Sequence, residues 1–118
     1  MIKIYCYNRC STCQKALKFL DDNNIKYDLI DIKENNPDLN QIKELHQKSS
    51  LDIKKLFNTS GLLYKELELS KKLNDMTLDK KYELLASNGM LIKRPILITD
   101  NNVLFGFKID EWKKVLGI

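Results

Sequence analysis

The chain opens with Ile2-Lys3-Ile4-Tyr5-Cys6-Tyr7, a run in which polarity alternates and β-forming side chains dominate. That pattern predicts a strand over residues 2–7. Asn8, Arg9 and Cys10 turn the chain, and Ser11 or Thr12 is placed to cap a helix running to about Asn23. Cys13, Ala16, Leu17 and Leu20 recur at helical spacing and form the buried stripe of that helix. Tyr27 to Ile32 reads as a second strand. Strand, helix and strand this close together make a βαβ unit, which predicts parallel pairing and a right-handed crossover.

The middle of the chain keeps a helical period, but in pieces. Asn36 is expected as an N-cap, with Pro37 at the first helical position and Leu39, Ile42 and Leu45 as the apolar stripe. Ile53, Leu56 and Phe57 form a short piece, and Asn58-Thr59-Ser60-Gly61 a turn. Helices are then expected over Leu63–Asn74 and Leu78–Ser87, the second capped by Thr77 and closed at Asn88-Gly89. Ile96–Thr99 and Val103–Phe107 predict a hairpin around Asp100-Asn101-Asn102. A last helix, Asp110–Leu116, presents Trp112, Val115 and Leu116 inward. The predicted fold is α/β: a mixed sheet of about four strands with a helical insertion near residues 35–90, in a single domain over 1–118.

Composition narrows the function. The 118 residues are 43% hydrophobic and 31% charged, which fits neither a disordered nor a fibrous chain. Net charge is +4, from 20 basic and 16 acidic residues. The lysines are interleaved with Asp and Glu, so they read as a solvated surface rather than a nucleic-acid patch. No apolar run approaches the roughly 20 residues that span a membrane. Met1-Ile2-Lys3-Ile4-Tyr5 is too quickly polar for a signal peptide. A cytoplasmic monomer with no direct nucleic-acid or membrane contact is expected. Three cysteines in such a chain fit a functional CxxC better than a secreted disulfide framework.

That CxxC is Cys10-Ser11-Thr12-Cys13. With a helix starting between its thiols, Cys10 meets backbone N–H groups and the positive end of the helix dipole, and Arg9 adds a cation. Both favour the thiolate, the reactive form. Cys13, one turn along the core-facing stripe, is placed to resolve a mixed disulfide made at Cys10. Cys6 reads as a small buried hydrophobe and His46 as a surface residue. Neither completes a zinc site, which needs four ligands, so no metal or bound cofactor is expected.

The sequence resembles the arsenate-reductase-like family, which includes the Spx regulators and the YffB/YusI-type proteins, and it looks closest to the YusI-type branch. The resemblance covers nearly the whole chain. It rests on Cys10-Ser-Thr-Cys13, Leu56-Phe57-Asn58-Thr59-Ser60-Gly61, the block from Leu84 to Pro95, and Gly106-Phe107-Lys108. It implies a thioredoxin-like fold with a helical insertion. In the family's arsenate reductases a cysteine attacks arsenate while three arginines hold the oxyanion. Cys10 matches that nucleophile and Arg94 one arginine. The second arginine position falls on Asn58 and the third near Phe107, beside Lys108. Asn and Lys do not reproduce the planar fork of Arg, so efficient arsenate reduction is not expected. The reductases carry serine where this chain has Cys13, which favours a Cys10–Cys13 disulfide, as in the Spx branch.

The resemblance also implies a cis Pro95 facing the CxxC. Beside it, Arg94 would lower the pKa of Cys10 and bind a carboxylate such as that of glutathione. The catalytic candidates are Cys10, Cys13 and Arg94. The substrate-binding candidates are Arg9, Ser11, Thr12, Asn58, Pro95 and Lys108. Two functions compete. One is a thiol–disulfide oxidoreductase acting on a small thiol or a protein disulfide, with glutathione or thioredoxin as reductant. The other is an Spx-like redox sensor that binds the RNA polymerase α subunit.

Overall fold

The computed structural model describes residues 1–118. Strand β1 (Lys3–Cys6) runs through the sheet interior because both its faces are apolar. Ile4 and Cys6 point to one side and Tyr5 to the other, as the two-residue pleat demands. β1 pairs in parallel with β2 (Asp28–Asp31) and antiparallel with β3 (Ile96–Ile98). β3 in turn pairs antiparallel with β4 (Val103–Phe105), giving the order β2-β1-β3-β4. The mixed four-stranded sheet is the predicted one, and its central strands carry the hydrophobic load.

The sheet separates two cores. On one face, α1 (Ser11–Asp22) and α6 (Ile109–Leu116) cover Ile4, Cys6 and Leu97, with Cys13, Ala16, Leu20 and Trp112 filling the layer. The opposite face packs Tyr5, Ile96, Val103 and Phe105 against the helical insertion. That insertion comprises α2 (Leu39–Ser49), α3 (Leu62–Glu66), α4 (Leu69–Lys72) and α5 (Leu78–Ser87), joined by 3₁₀ turns at Ile53–Leu56, Leu73–Asp75 and Gly89–Leu91. No helix is long and apolar enough to cross a membrane.

Several expectations change at the boundaries. Asp38, not Asn36, caps α2: its carboxylate accepts the Gln41 N–H at 2.8 Å, and the Gln41 side chain accepts the Asp38 N–H at 2.9 Å. Asn36 instead donates to the Ala86 carbonyl at 2.8 Å and ties the start of the insertion to its end. The helix expected over Leu63–Asn74 is broken into α3 and α4, because Glu68 adopts φ 53, a left-handed conformation that interrupts the ladder. Thr77 caps α5 as predicted, and the helix ends at Ser87 with Asn88 extended.

His46 is not a simple surface residue. Its Nε2 lies 2.8 Å from the Leu51 carbonyl and its Nδ1 2.6 Å from the Tyr82 hydroxyl. A carbonyl only accepts, so in the neutral ring Nε2 carries the proton and Nδ1 accepts from Tyr82. The ring thereby joins α2 to α5.

Candidate active site

Three segments from distant parts of the chain meet at the C-terminal end of β1. The first is the β1–α1 turn. The Cys10 N–H donates to the Tyr7 carbonyl at 3.0 Å, and the Gln14 side chain donates to the Asn8 carbonyl at 3.0 Å. Cys10 has extended backbone and is itself the N-cap of α1, its sulfur accepting the Cys13 N–H at 3.3 Å. Neither Ser11 nor Thr12 supplies the cap. Position, not residue type, decides this: the sulfur stands where a capping oxygen would.

The second segment holds Asn58 and Arg94 together. Phe57 and Ile92 form an antiparallel bridge, with the Asn58 N–H donating to Leu91 and the Lys93 N–H to Leu56, each at 2.8 Å. The turn expected at Asn58–Gly61 is closed by the Gly61 N–H donating to the Asn58 carbonyl at 3.0 Å. The Arg94–Pro95 peptide is cis.

The third segment is Gly106-Phe107-Lys108. The Gly106 N–H donates to the Pro95 carbonyl at 2.8 Å, and its own carbonyl accepts the buried indole N–H of Trp112 at 3.1 Å. Gly106 sits at φ +84, where an L side chain is strained. Phe107 packs edge-on against Trp112, 4.8 Å between ring centres, and against Phe19 at 5.6 Å. The last helix therefore clamps one wall of the site.

Together they enclose an open cleft of about 860 Å³. Cys10, Arg94, Arg9, Ser11, Thr12, Asn58 and Lys108 all line it. Cys13 and Pro95 do not: Cys13 is buried beneath Cys10, and the buried Pro95 contributes its carbonyl to the sheet. Pro95 is expected to be cis and to face the CxxC; the bond is cis, and the ring is buried outside the cleft lining. Sequence reading missed Tyr7, Lys93, Glu66 and Met90, which also line the cleft. Met90 and Lys93 lie inside the Leu84–Pro95 block and Tyr7 close before Cys10, but only the fold brings them and Glu66 to one cleft.

The cleft is cationic, with Arg9, Lys93, Arg94 and Lys108 set against Glu66 alone. Arg94 lies over the Tyr7 ring, and its Nε and Nη1 atoms are buried without a hydrogen-bond partner. Such donors carry a desolvation cost until an acceptor meets them.

The thiols depart from the simple helix-dipole picture. All three cysteines are free. Burial pushes the Cys10 thiol up from its ordinary value, while the Cys13 N–H and, more weakly, Arg94 pull it down. Desolvation wins, so the resting thiolate is not favoured, and Arg94 rather than Arg9 is the opposing cation. Cys13 is held neutral far more firmly, first by a hydrogen bond with Cys6 and then by burial. No group of His, Cys, Asp or Glu in the structure could hold a metal ion.

The first strand, the helix that follows it and the mixed sheet define a thioredoxin-like fold. The fold matches a glutaredoxin from Archaeoglobus fulgidus at a TM-score of 0.51 and 13% identity, covering 98% of this chain and 84% of that one. More particularly, the chain belongs to the ArsC family, whose model matches residues 5–115. It is 45% identical over 113 residues to YusI of Bacillus subtilis strain 168, covering 96% of each chain. The solved structure of an ArsC-family-related protein from Bacteroides fragilis superposes with a TM-score of 0.94 at 48% identity, covering 97% of this chain and 96% of that one. The global transcriptional regulator Spx of Listeria innocua is 26% identical over 116 residues, which are 98% of this chain and 87% of the regulator. An arsenate reductase from Vibrio cholerae superposes with a TM-score of 0.82 at 25% identity, covering 99% of this chain and 96% of that one, so the chain is similar both to a reductase and to a regulator.

Proposed function

We propose that the protein is a thiol–disulfide oxidoreductase in which Cys10 attacks and Cys13 resolves, with an anionic disulfide as substrate. The observation that carries this reading is Cys10 Sγ on the wall of a cationic cleft, hydrogen-bonded to the Cys13 N–H at 3.3 Å, with the unpartnered Arg94 guanidinium in the same cleft. The Cys10 thiolate attacks one sulfur of the substrate disulfide, and the other sulfur leaves as a thiolate that takes a proton. Cys13, deprotonated, then attacks Cys10 Sγ. The second substrate thiolate departs, and a Cys10–Cys13 disulfide remains. Two molecules of glutathione, or one dithiol such as reduced thioredoxin, return both cysteines to thiols.

Arg94, Lys108 and Arg9 supply charge for carboxylates of a glutathione-type substrate. The resemblance places two of the oxyanion-binding arginines on Asn58 and near Phe107, beside Lys108, so arsenate is a poor substrate. The test is turnover of a glutathione mixed disulfide, and separately of arsenate, with glutathione or thioredoxin as reductant. A rate that disappears in Cys10→Ser and is far larger for the disulfide is expected. No Cys10-dependent rate with either substrate sinks the proposal.

A regulatory reading is favoured by one observation, the end-to-end match to Spx over 98% of this chain. It predicts redox-dependent capture of the RNA polymerase α C-terminal domain. Failure to bind in either redox state removes it.

A further inference from the structure

We propose that Cys6 is a third redox thiol, which accepts the disulfide from Cys10–Cys13 and leaves Cys10 free in the cleft. Cys6 is the last residue of β1 and shares its face with Ile4, so the pleat turns its sulfur towards α1. There it lies 5% exposed in one cluster with Cys13, which is 1% exposed. The other members of that buried layer are Ile4, Ala16, Leu20, Leu97 and Trp112. The Trp112 N–H is already taken by Gly106. The Cys13 N–H donates to Cys10 Sγ at 3.3 Å, while its own thiol shares the buried layer with that of Cys6. Cys13 is therefore placed between Cys10, which lines the cleft, and the buried Cys6.

The exchange balances without an added oxidant. Cys6 gives up its proton and attacks Cys13 Sγ in the Cys10–Cys13 disulfide. The Cys6–Cys13 bond forms as the Cys10–Cys13 bond breaks, and the released Cys10 thiolate takes a proton. Two factors favour the product. The new disulfide sits in an apolar layer, where a neutral S–S bond loses little by burial, whereas a thiolate there would be costly. It is also shielded from external thiols, which reach Cys10 but not Cys6. The consequence is a change of chemistry. With Cys13 tied to Cys6, the cleft holds a single thiol with no resolving partner, and the next disulfide it meets stops at a mixed disulfide on Cys10. The donor disulfide rests on the proposed function, but formation of the Cys6–Cys13 bond can be tested apart from turnover.

The sequence provides its own readout. Trypsin cleaves after Lys3, Arg9 and Lys15, placing Cys6 in the peptide Ile4–Arg9 and both other cysteines in Cys10–Lys15. The native protein is oxidised with diamide or glutathione disulfide, free thiols are alkylated under acid quench, and the digest is mapped by mass. A linked pair of the two peptides is expected in the wild type. It is absent in Cys10→Ser, which cannot form the donor disulfide and leaves only the two buried thiols. In Cys6→Ala and Cys6→Val, with folding checked by thermal melts, the link disappears and the disulfide is confined within Cys10–Lys15. If Cys6 is fully alkylated in the oxidised wild type while Cys10–Cys13 forms normally, this inference is overturned and the proposed function stands. If Cys10 forms neither a disulfide nor a mixed disulfide, both fall.

Discussion

The Arg94 guanidinium carbon stands 5.2 Å from the centre of the Tyr7 ring, and no carboxylate pairs with it. A cation held by a ring keeps its hydrogen-bonding capacity for something else. Tyr7 also accepts the Cys10 N–H through its carbonyl, so the residue that seats the arginine also positions the nucleophile.

Replacing Arg94 by alanine should weaken binding of an anionic disulfide roughly ten- to a hundredfold, since a hydrogen bond to a charged group contributes ~1.5–3 kcal/mol. Arg94 also lowers the Cys10 pKa, so its removal raises that pKa further and slows Cys10 alkylation at neutral pH. Lysine should restore part of the alkylation rate but little of the binding, because it lacks the fork. Iodoacetamide kinetics and calorimetry read the two effects separately. Equal alkylation rates in wild type and Arg94→Ala would show that the charge does not reach the sulfur.

Alkaline pH should act on both the chemistry and the stability of the reduced protein. Cys10 and Cys13 hold their protons more tightly in the fold than ordinary thiols do. Alkylation of Cys10 and resolution of its mixed disulfide should therefore keep accelerating beyond the ordinary thiol pKa of about 8.5. The stability that the raised values confer is present below that ordinary value and is lost as pH rises through the folded values. Between neutral and alkaline pH, the melting temperature of the reduced protein should drop more than that of the oxidised one, in which these groups no longer titrate. Parallel melting curves across that range would contradict the assignment.

Trp112→Phe tests the clamp on the cleft wall. The substitution keeps an aromatic ring against Phe107 but removes the donor to the Gly106 carbonyl. Leaving that buried acceptor unsatisfied should cost about 2 kcal/mol in urea denaturation. The same change loosens Gly106–Lys108, so KM for a disulfide substrate should rise more than kcat falls. An unchanged KM would mean that the indole N–H serves stability alone.

Gly89→Ala should destabilise the fold without touching the cleft. A Cβ at Gly89 would stand 2.2 Å from the Ile32 carbonyl oxygen, a backbone atom that cannot swing away. Overpacking of this kind costs roughly 1–3 kcal/mol. The denaturation midpoint should fall while Cys10 alkylation in the folded protein stays as in the wild type.

Much of the scaffold was legible in the chain because its signals are local. The alternation at Ile4, Tyr5 and Cys6 and the helical spacing of Cys13, Ala16 and Leu20 each survive as a face of the final core. Cap chemistry was legible where one residue type does the work, as at Thr77, and misread where neighbours compete, as among Asn36, Pro37 and Asp38. Glu68 escaped notice because nothing in its side chain announces a left-handed backbone.

The candidate site divides in the same way. By itself the sequence determined that Cys10 and Cys13 lie one helical turn apart at the start of a helix, because that follows from spacing and period. It also marked Arg94, Asn58 and Lys108 through resemblance. Only the tertiary structure decided that Tyr7 seats Arg94, that Pro95 is buried, and that Cys6 and Cys13 share one buried layer. It also reversed the expected acidity of Cys10. A helix N-terminus and a cation can be read from neighbouring residues, but desolvation depends on how much of the rest of the chain packs over the sulfur.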